Sequence, residues 1–518
     1  MLLKSVLTSA LLALSLGSDL AAAFKPGRFA EIARAPQEKA KRIVEARNHK
    51  PKKSDKDYRF LNKNTKRELP GGLLPEVAFD IGEMYSGLVP IDMDNSSRSL
   101  FFIFQPTINK PVDEVTIWLN GGPGCSSMES FLQETGRFIW QPGTFAPVEN
   151  PYAWVNLTNV LWVDQPVGTG YSVGTPTAIS QEETAQDFIK FFKNFQKIFW
   201  NQELQDLSAM LDEKDKEYFD LDGALAYDPC IGQFDTVQEQ LPVVPFVHEN
   251  ANLFSFNESF MAELDRKHKS CGYEEFIDKY LSFPPPEVQP PLLGSSLDDE
   301  CDLFDLVNDE ILHINPCFDV YEINQMCPLL WDVLGFPTSL DYTAAGASVY
   351  FDRKDVKHAL HAPNGTWSGC SAEPVFVGGS AGPEQEGDIS ANPIEHVLPQ
   401  VIEATNRVLI ANGDLDMVVL TNGTLLAIQN MTWNGNLGFQ NKPHTPIDIK
   451  IPDLMYANVF AENGQTGVDG PQGVMGVQHY ERGLMWAQSF QSGHMQPQYQ
   501  PRVAYRHLEW LLRRTEEL

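Results

Sequence analysis

No stretch of these 518 residues stays apolar for the roughly 20 positions that a bilayer-spanning helix needs. The nearest approach, Ser5–Gly17, is too short to anchor the chain. With basic Met1–Lys4 ahead of it and the small residues of Leu20-Ala21-Ala22-Ala23 behind, it reads as a signal peptide, residues 1–23. Positive charge is scarce beyond Arg67. Residues 24–67 hold 15 Lys/Arg against 5 Asp/Glu, while the whole chain carries −30, so residues 68–518 carry −40. A body that acidic repels nucleic acid and excludes it as a partner. The basic stretch reads as a removable pro-segment cut near Lys66-Arg67, or as a solvated disordered leader; composition does not separate the two. Cysteine is sparse too. Seven behind a signal peptide point to an oxidising compartment, three disulfides and one free thiol. There is no internal repeat and no long low-complexity segment.

Apolar material is ample for a large core, with 10 Trp, 15 Tyr and 31 Phe. Ser99–Phe104, Val115–Leu119 and Val160–Val163 are short apolar runs bounded by turn residues, the pattern of buried strands. Glu182–Phe199 repeats apolar residues at helical spacing and predicts an amphipathic helix. Gly223–Ala226, Arg407–Ile410 and Leu484–Phe490 are further strand candidates. Strands separated by helices argue for an α/β fold with a central, mostly parallel sheet. From about Leu241 to Gly335 the character changes to Pro-rich SFPPPEVQPP, irregular polar runs and four of the seven cysteines. This is expected to be a disulfide-pinned insertion, 241–335, between two halves of the core, 68–240 and 336–518. Asn-X-Ser/Thr sequons begin at Asn95, Asn156, Asn257, Asn364, Asn422 and Asn430, which fits an N-glycosylated protein.

The most specific pattern is Val115–Met128, VTIWLNGGPGCSSM. A strand runs into glycines that let the backbone approach an acyl group and aim N–H donors at a developing oxyanion. WLNGGPGCSS resembles the oxyanion-side signature of the serine carboxypeptidases, which are α/β-hydrolases. NPYAWVNLTNVLWVDQPVGTGYS (Asn150–Ser172) extends the resemblance, as do Asp228-Pro-Cys, His358-Ala-Leu-His, Asn412–Asp416 and Ser492–Pro497. The resemblance implies an α/β-hydrolase fold and a secreted or vacuolar enzyme that removes C-terminal residues from peptides at acid pH, with no metal or other cofactor. It implies Gly122 as one oxyanion donor, Trp118, Asn120 and Glu134 around the substrate's terminal carboxylate, and Asp416 and His494 as acid and base, following strands in the order this fold uses. Glu134 suits an anion only if it is protonated and donates a hydrogen bond. Asp416 is preferred to Asp414 by the resemblance. So too are a Cys125–Cys370 disulfide, pairing of Cys271, Cys301, Cys317 and Cys327 among themselves, and a single Cys230.

One part of that family pattern is missing. The nucleophilic serine belongs in a Gly-Glu-Ser-Tyr-Ala-Gly elbow between the helix ending near Phe199 and the strand before Asp228. Strand, elbow and following helix need roughly 20–25 residues, and only Trp200–Leu207 stand there before the family-like sequence resumes. Gly378-Gly379-Ser380-Ala381-Gly382 imitates an elbow, but the sequence after it has no apolar stripe to pack as the required helix. Gly82–Gly87 imitates it with Met84 at the nucleophile position, and is rejected. Either coding sequence has been dropped, or the chain is a pseudoenzyme that keeps a pocket. The first is favoured, because deleting a central strand should open a large void in the core. A serine carboxypeptidase-like acyltransferase and a non-catalytic peptide-binding protein are the competing functions, and a lipase or esterase fits less well.

Overall fold

The computed structural model describes residues 58–65, 74–200, 220–291, 300–336, 347–378, 387–449 and 473–518. The expected signal peptide, residues 24–57 of the leader, Lys66-Arg67 and Ser380 lie outside the described residues. The last residues of the leader are packed. Phe60 sets its ring edge-on against Phe104 at 5.3 Å, and the backbone N–H groups of Arg59 and Phe60 donate to the Glu83 carboxylate.

Nine strands form the two main sheets. The first has the order β1 (Tyr85–Asp92), β2 (Asn95–Gln105), β4 (Asn159–Asp164), β3 (Val115–Trp118). Leu100–Gln105 and the whole of β4 are buried on both faces, so both read as continuous apolar runs rather than as alternating ones. β1, β2 and β4 pair antiparallel, and β3 joins β4 in parallel. The second sheet has the order β7 (Thr445–Asp448), β8 (Val474–Glu481), β9 (Leu484–Ser489), β6 (Val408–Gly413), β5 (Ala224–Tyr227). Here β5, β6 and β9 are parallel while β7 and β8 are antiparallel additions. Both sheets are thus mixed rather than mostly parallel: β3–β4 in the first and β5–β6–β9 in the second are parallel, and the remaining pairs are antiparallel.

The Gln181–Trp200 helix carries Phe188, Phe191, Phe192, Phe195 and Phe199 along one face and buries them against β1, β2 and β4. Its spacing was readable because that stripe is almost purely aromatic. The 241–335 segment is more regular than its sequence suggests. Glu258–Ser270, Tyr273–Tyr280 and Leu303–Ile314 are helices, and they pack a shared core through Leu264, Phe276, Val307 and Ile311. Each offers only a narrow apolar stripe between charged residues, so the runs look irregular until the helical period is imposed. Cys271–Cys301 and Cys317–Cys327 are disulfides in this region, Cys125–Cys370 joins the glycine turn to the second half, and Cys230 is free and exposed.

The two sheets do not join. β3 ends the first and β5 ends the second, and among the described residues neither pairs on its outer side. Both edges line one large cavity of about 2760 Å³, and all eight of their residues are half-buried, in contrast to the fully buried β4 and β6.

Candidate active site

The cavity runs along the sheet edges, and the motif residues gather on it at the carboxyl ends of the parallel strands. After β3 the chain turns through Asn120–Ser127. Gly122 sits at φ +138°, and a Cβ there would lie 3.1 Å from the Gly124 nitrogen and 3.2 Å from the Cys125 sulfur, so glycine is required. Asp164, at the end of β4, anchors this turn from below. Its Oδ1 accepts from the Ser126 hydroxyl at 2.7 Å and the Ser127 N–H at 2.9 Å, while Oδ2 accepts from the Tyr171 N–H at 2.8 Å. The Ser126 N–H donates to the Gly369 carbonyl at 2.7 Å beside the Cys125–Cys370 bridge, which fixes the turn from the other half of the chain.

Asn120 accepts a hydrogen bond from the Trp118 indole and donates through Nδ2 to Glu129 Oε2 at 3.3 Å. Glu129 opens the short helix Met128–Gln133 and Glu134 caps its end. Both glutamates are buried and line the cavity. Burial, with Asp332 nearby, raises the Glu129 carboxyl to about 7. Burial, with Glu129 nearby, raises Glu134 to about 8. The protonated Glu134 that anion recognition requires is therefore what the site favours at acid pH. Glu129 was not singled out in the sequence; two acids five residues apart, straight after a turn that faces a pocket, are the signal that could have found it.

The acid and base come from the second sheet. β6 ends in the turn that carries Asp414 and Asp416, and β9 ends in the loop that carries His494. His494 Nδ1 lies 2.8 Å from Asp416 Oδ2. Asp416 is fully buried, and its Oδ1 accepts from the Val418 N–H at 2.8 Å, which fixes the carboxylate plane. Asp414 points elsewhere and accepts from the Ser492 N–H at 3.0 Å, bracing the His494 loop instead. Burial works against a charged imidazole. The charge and hydrogen bond of Asp416, with Asp228 and Glu134 behind them, outweigh it and raise His494 to about 9. The Tyr321 ring stands edge-on to His494 at 5.2 Å and the Tyr321 carbonyl accepts from the His494 N–H at 2.8 Å, so the insertion helps to hold the loop.

Trp118, Asn120, Gly122, Glu129, Glu134, Asp228, Cys230 and His494 all line the one cavity, with the Gly122 turn on its first-sheet wall and His494 on its second-sheet wall. The cavity thus carries an imidazole backed by a carboxylate on one wall and a glycine turn on the other. No described residue supplies a serine elbow between them.

Comparison with known proteins gives the same picture. The serine carboxypeptidase family pattern matches in two pieces, residues 75–210 and 202–514, which overlap at 202–210. Serine-type carboxypeptidase F of Aspergillus niger is 65% identical over 533 aligned positions that take in 100% of both chains, against 518 residues here. A probable serine carboxypeptidase of Arthroderma benhamiae is 42% identical over 89% of this chain and 88% of its own length. The crystal structure of Kex1(delta)p, a prohormone-processing carboxypeptidase from Saccharomyces cerevisiae, shares the fold, with a TM-score of 0.62 at 22% identity over 89% of this chain and 97% of the other. With this fold, His494 and the glycine turn on one cavity, Asp416 behind His494, and both pieces of the pattern present, the chain belongs to the serine carboxypeptidase family.

Proposed function

We propose that the site built here releases C-terminal residues from peptides and proteins through an acyl-enzyme, in an acidic compartment of the secretory pathway. His494 takes the proton of the attacking serine and passes it to the leaving amine, Asp416 orients the ring and stabilises the imidazolium, and the Gly122 N–H holds the oxyanion. Trp118, Asn120 and Glu134 receive the substrate's terminal carboxylate, which restricts attack to the last peptide bond. The reaction needs no cofactor. Exposed sequon asparagines at Asn95, Asn257 and Asn364 support N-glycosylation.

The nucleophile belongs to a strand–elbow–helix segment that this polypeptide does not carry. The supporting observation is the cavity itself: His494 and the Gly122 turn line it, Asp416 stands 2.8 Å behind His494, and it runs between the edges of β3 and β5, which are unpaired among the described residues. As it stands, the chain binds free peptide acids without cleaving them. The test is to express the full chain with and without the corresponding segment of the Aspergillus niger relative inserted after Phe199. A fluorophosphonate should label only the filled-in protein, which should then trim blocked dipeptides from their acid end. Labelling of the unaltered chain, lost on changing Ser380 alone, would sink the reading.

A further inference from the structure

Asp228 follows β5 and has no assigned part in the reaction, yet it sits where the acid turn and the base loop meet. Its backbone lies at φ +43°, a region that non-glycine residues enter at a cost and hold only when their surroundings demand it. Oδ1 accepts from the Gly413 N–H at 3.0 Å and from Asn412 Nδ2 at 3.3 Å, both at the end of β6. Oδ2 accepts from Gln496 Nε2 at 2.8 Å, two residues beyond His494. Gln496 is fully buried, and its Oε1 is already taken by the Ser489 hydroxyl, which fixes its amide with the N–H side toward Asp228. Every partner of the Asp228 side chain is an N–H donor, which favours the ionised carboxylate against burial and the Asp416 charge, both of which push its carboxyl well above the usual range. The same saturation argues against a metal ligand.

We propose that Asp228 is a positioning residue for His494: its carboxylate ties the Asp416 turn to the His494 loop and presents a second buried negative charge to the imidazole. Oxygens of Asp228 and Asp416 and a ring nitrogen of His494 all lie within 4.8 Å of one another. At that separation, and away from solvent, a second carboxylate changes the proton affinity of the ring. The other groups acting on His494 are Glu134, Glu129, Asp319 and the Tyr321 ring, and none of them bonds both loops. The arrangement holds the imidazolium without using up the Asp416–His494 hydrogen bond. It also explains why β5 must reach the site although it carries no acid, base or nucleophile. This inference rests on His494 being the base, but its readout does not require turnover, so the two can fail separately.

The test is histidine-labelled NMR titration of the full chain, with His494→Gln to assign the resonance. Asp228→Asn keeps the size and should lower the His494 pKa by about one unit, a tenfold weaker hold on the proton. Asp416→Asn should lower it further. A folded Asp228→Asn protein whose His494 titrates unchanged overturns the proposal, because a purely structural clamp would disturb backbone shifts and not the ring. Should Asp228→Asn fail to fold, Gln496→Met decides: it removes the donor that holds Asp228 ionised, so His494 should again lose proton affinity, and an unchanged titration overturns the proposal.

Discussion

Trp118 at the end of β3 and Tyr227 at the end of β5 have ring centroids 6.1 Å apart, yet their strands share no hydrogen bond. Both rings line the cleft between β3 and β5, whose facing edges pair with no strand among the described residues. Apolar side chains from both layers, Phe188 and Phe192 on one side and Leu511 and Leu512 on the other, line the same cleft. An additional strand there would find a backbone partner on each side and an apolar layer above and below.

Supplying that strand should therefore stabilise the protein as well as activate it. Two four-residue edges would gain ladder partners and a core-sized cavity would close, which together should exceed several kcal/mol. Inserting the relative's segment after Phe199 is expected to raise the midpoint of thermal unfolding by about 10 °C or more. Differential scanning fluorimetry of the two proteins measures this. Equal midpoints would mean that the edges are satisfied in some other way.

The Cys125–Cys370 bridge spans 245 residues and fastens the oxyanion turn to the other half of the core. Replacing both cysteines by alanine should cost about 2–5 kcal/mol, with the long closed loop placing it toward the upper end in the chain-entropy picture. The Cys317–Cys327 bridge closes only ten residues and is expected to matter less. Urea unfolding of the two double variants at fixed pH compares them directly. Larger destabilisation from the shorter loop would contradict the assignment of Cys125–Cys370 as the main brace.

What the sequence reveals and what it hides divide along physical lines. β2, β4 and the Gln181–Trp200 helix announce themselves because full burial demands unbroken apolar or aromatic patterning. Asp416 and His494 are legible because their chemistry fixes both residue type and chain order. β7 and β8 were not read as strands: Pro446 interrupts one, Gly476 and several polar residues interrupt the other, and a half-exposed antiparallel pair needs no strong pattern. Asp228 could be quoted within a motif but not given a role. Its importance lies in three N–H donors that come from residues 184 to 268 positions away, and no local spacing encodes that. The shortage of residues for an elbow is visible in the sequence, and among the described residues β3 and β5 each leave one edge open on the cavity.

The buried glutamates should tilt stability toward acid. Glu129 and Glu134 titrate near 7 and 8 in the folded protein and near 4.5 when unfolded, so the folded state binds more protons between these limits. Their contribution is complete below about pH 4.5 and is lost as pH rises through 7 and 8. His494 acts in the same direction over a higher window: its stabilisation is full below about 6.5 and lost as pH rises through about 9. The unfolding midpoint should thus fall steadily from pH 5 to 9. Glu134→Gln should flatten the lower part of that slope and raise the midpoint at pH 8, and His494→Gln should flatten the upper part. A midpoint that rises from pH 5 to 8 would show that other carboxylates dominate.

With the terminal carboxylate placed as proposed, the same two acids should make its recognition dependent on pH. When Glu134 is ionised it repels the incoming anion, and when Glu129 is ionised it holds one Asn120 N–H for itself. Protonation removes the repulsion and turns Glu134 into a donor, so binding should strengthen as pH falls through 8 and then 7. Isothermal titration of a short N-blocked peptide acid to the unaltered chain is expected to show affinity at least tenfold higher at pH 5 than at pH 8.5, with no cleavage to obscure it. The matching peptide amide should bind weakly at both values, since it carries no charge for the site to discriminate. Asn120→Leu should remove most of the acid–amide difference by deleting the amide donor, about 1–2 kcal/mol or roughly five- to thirtyfold. Glu134→Gln should retain acid binding at pH 8.5, because the glutamine donates at every pH. If the amide bound as tightly as the acid, or Glu134→Gln left the pH dependence intact, the terminal carboxylate would have to lie elsewhere in the cavity.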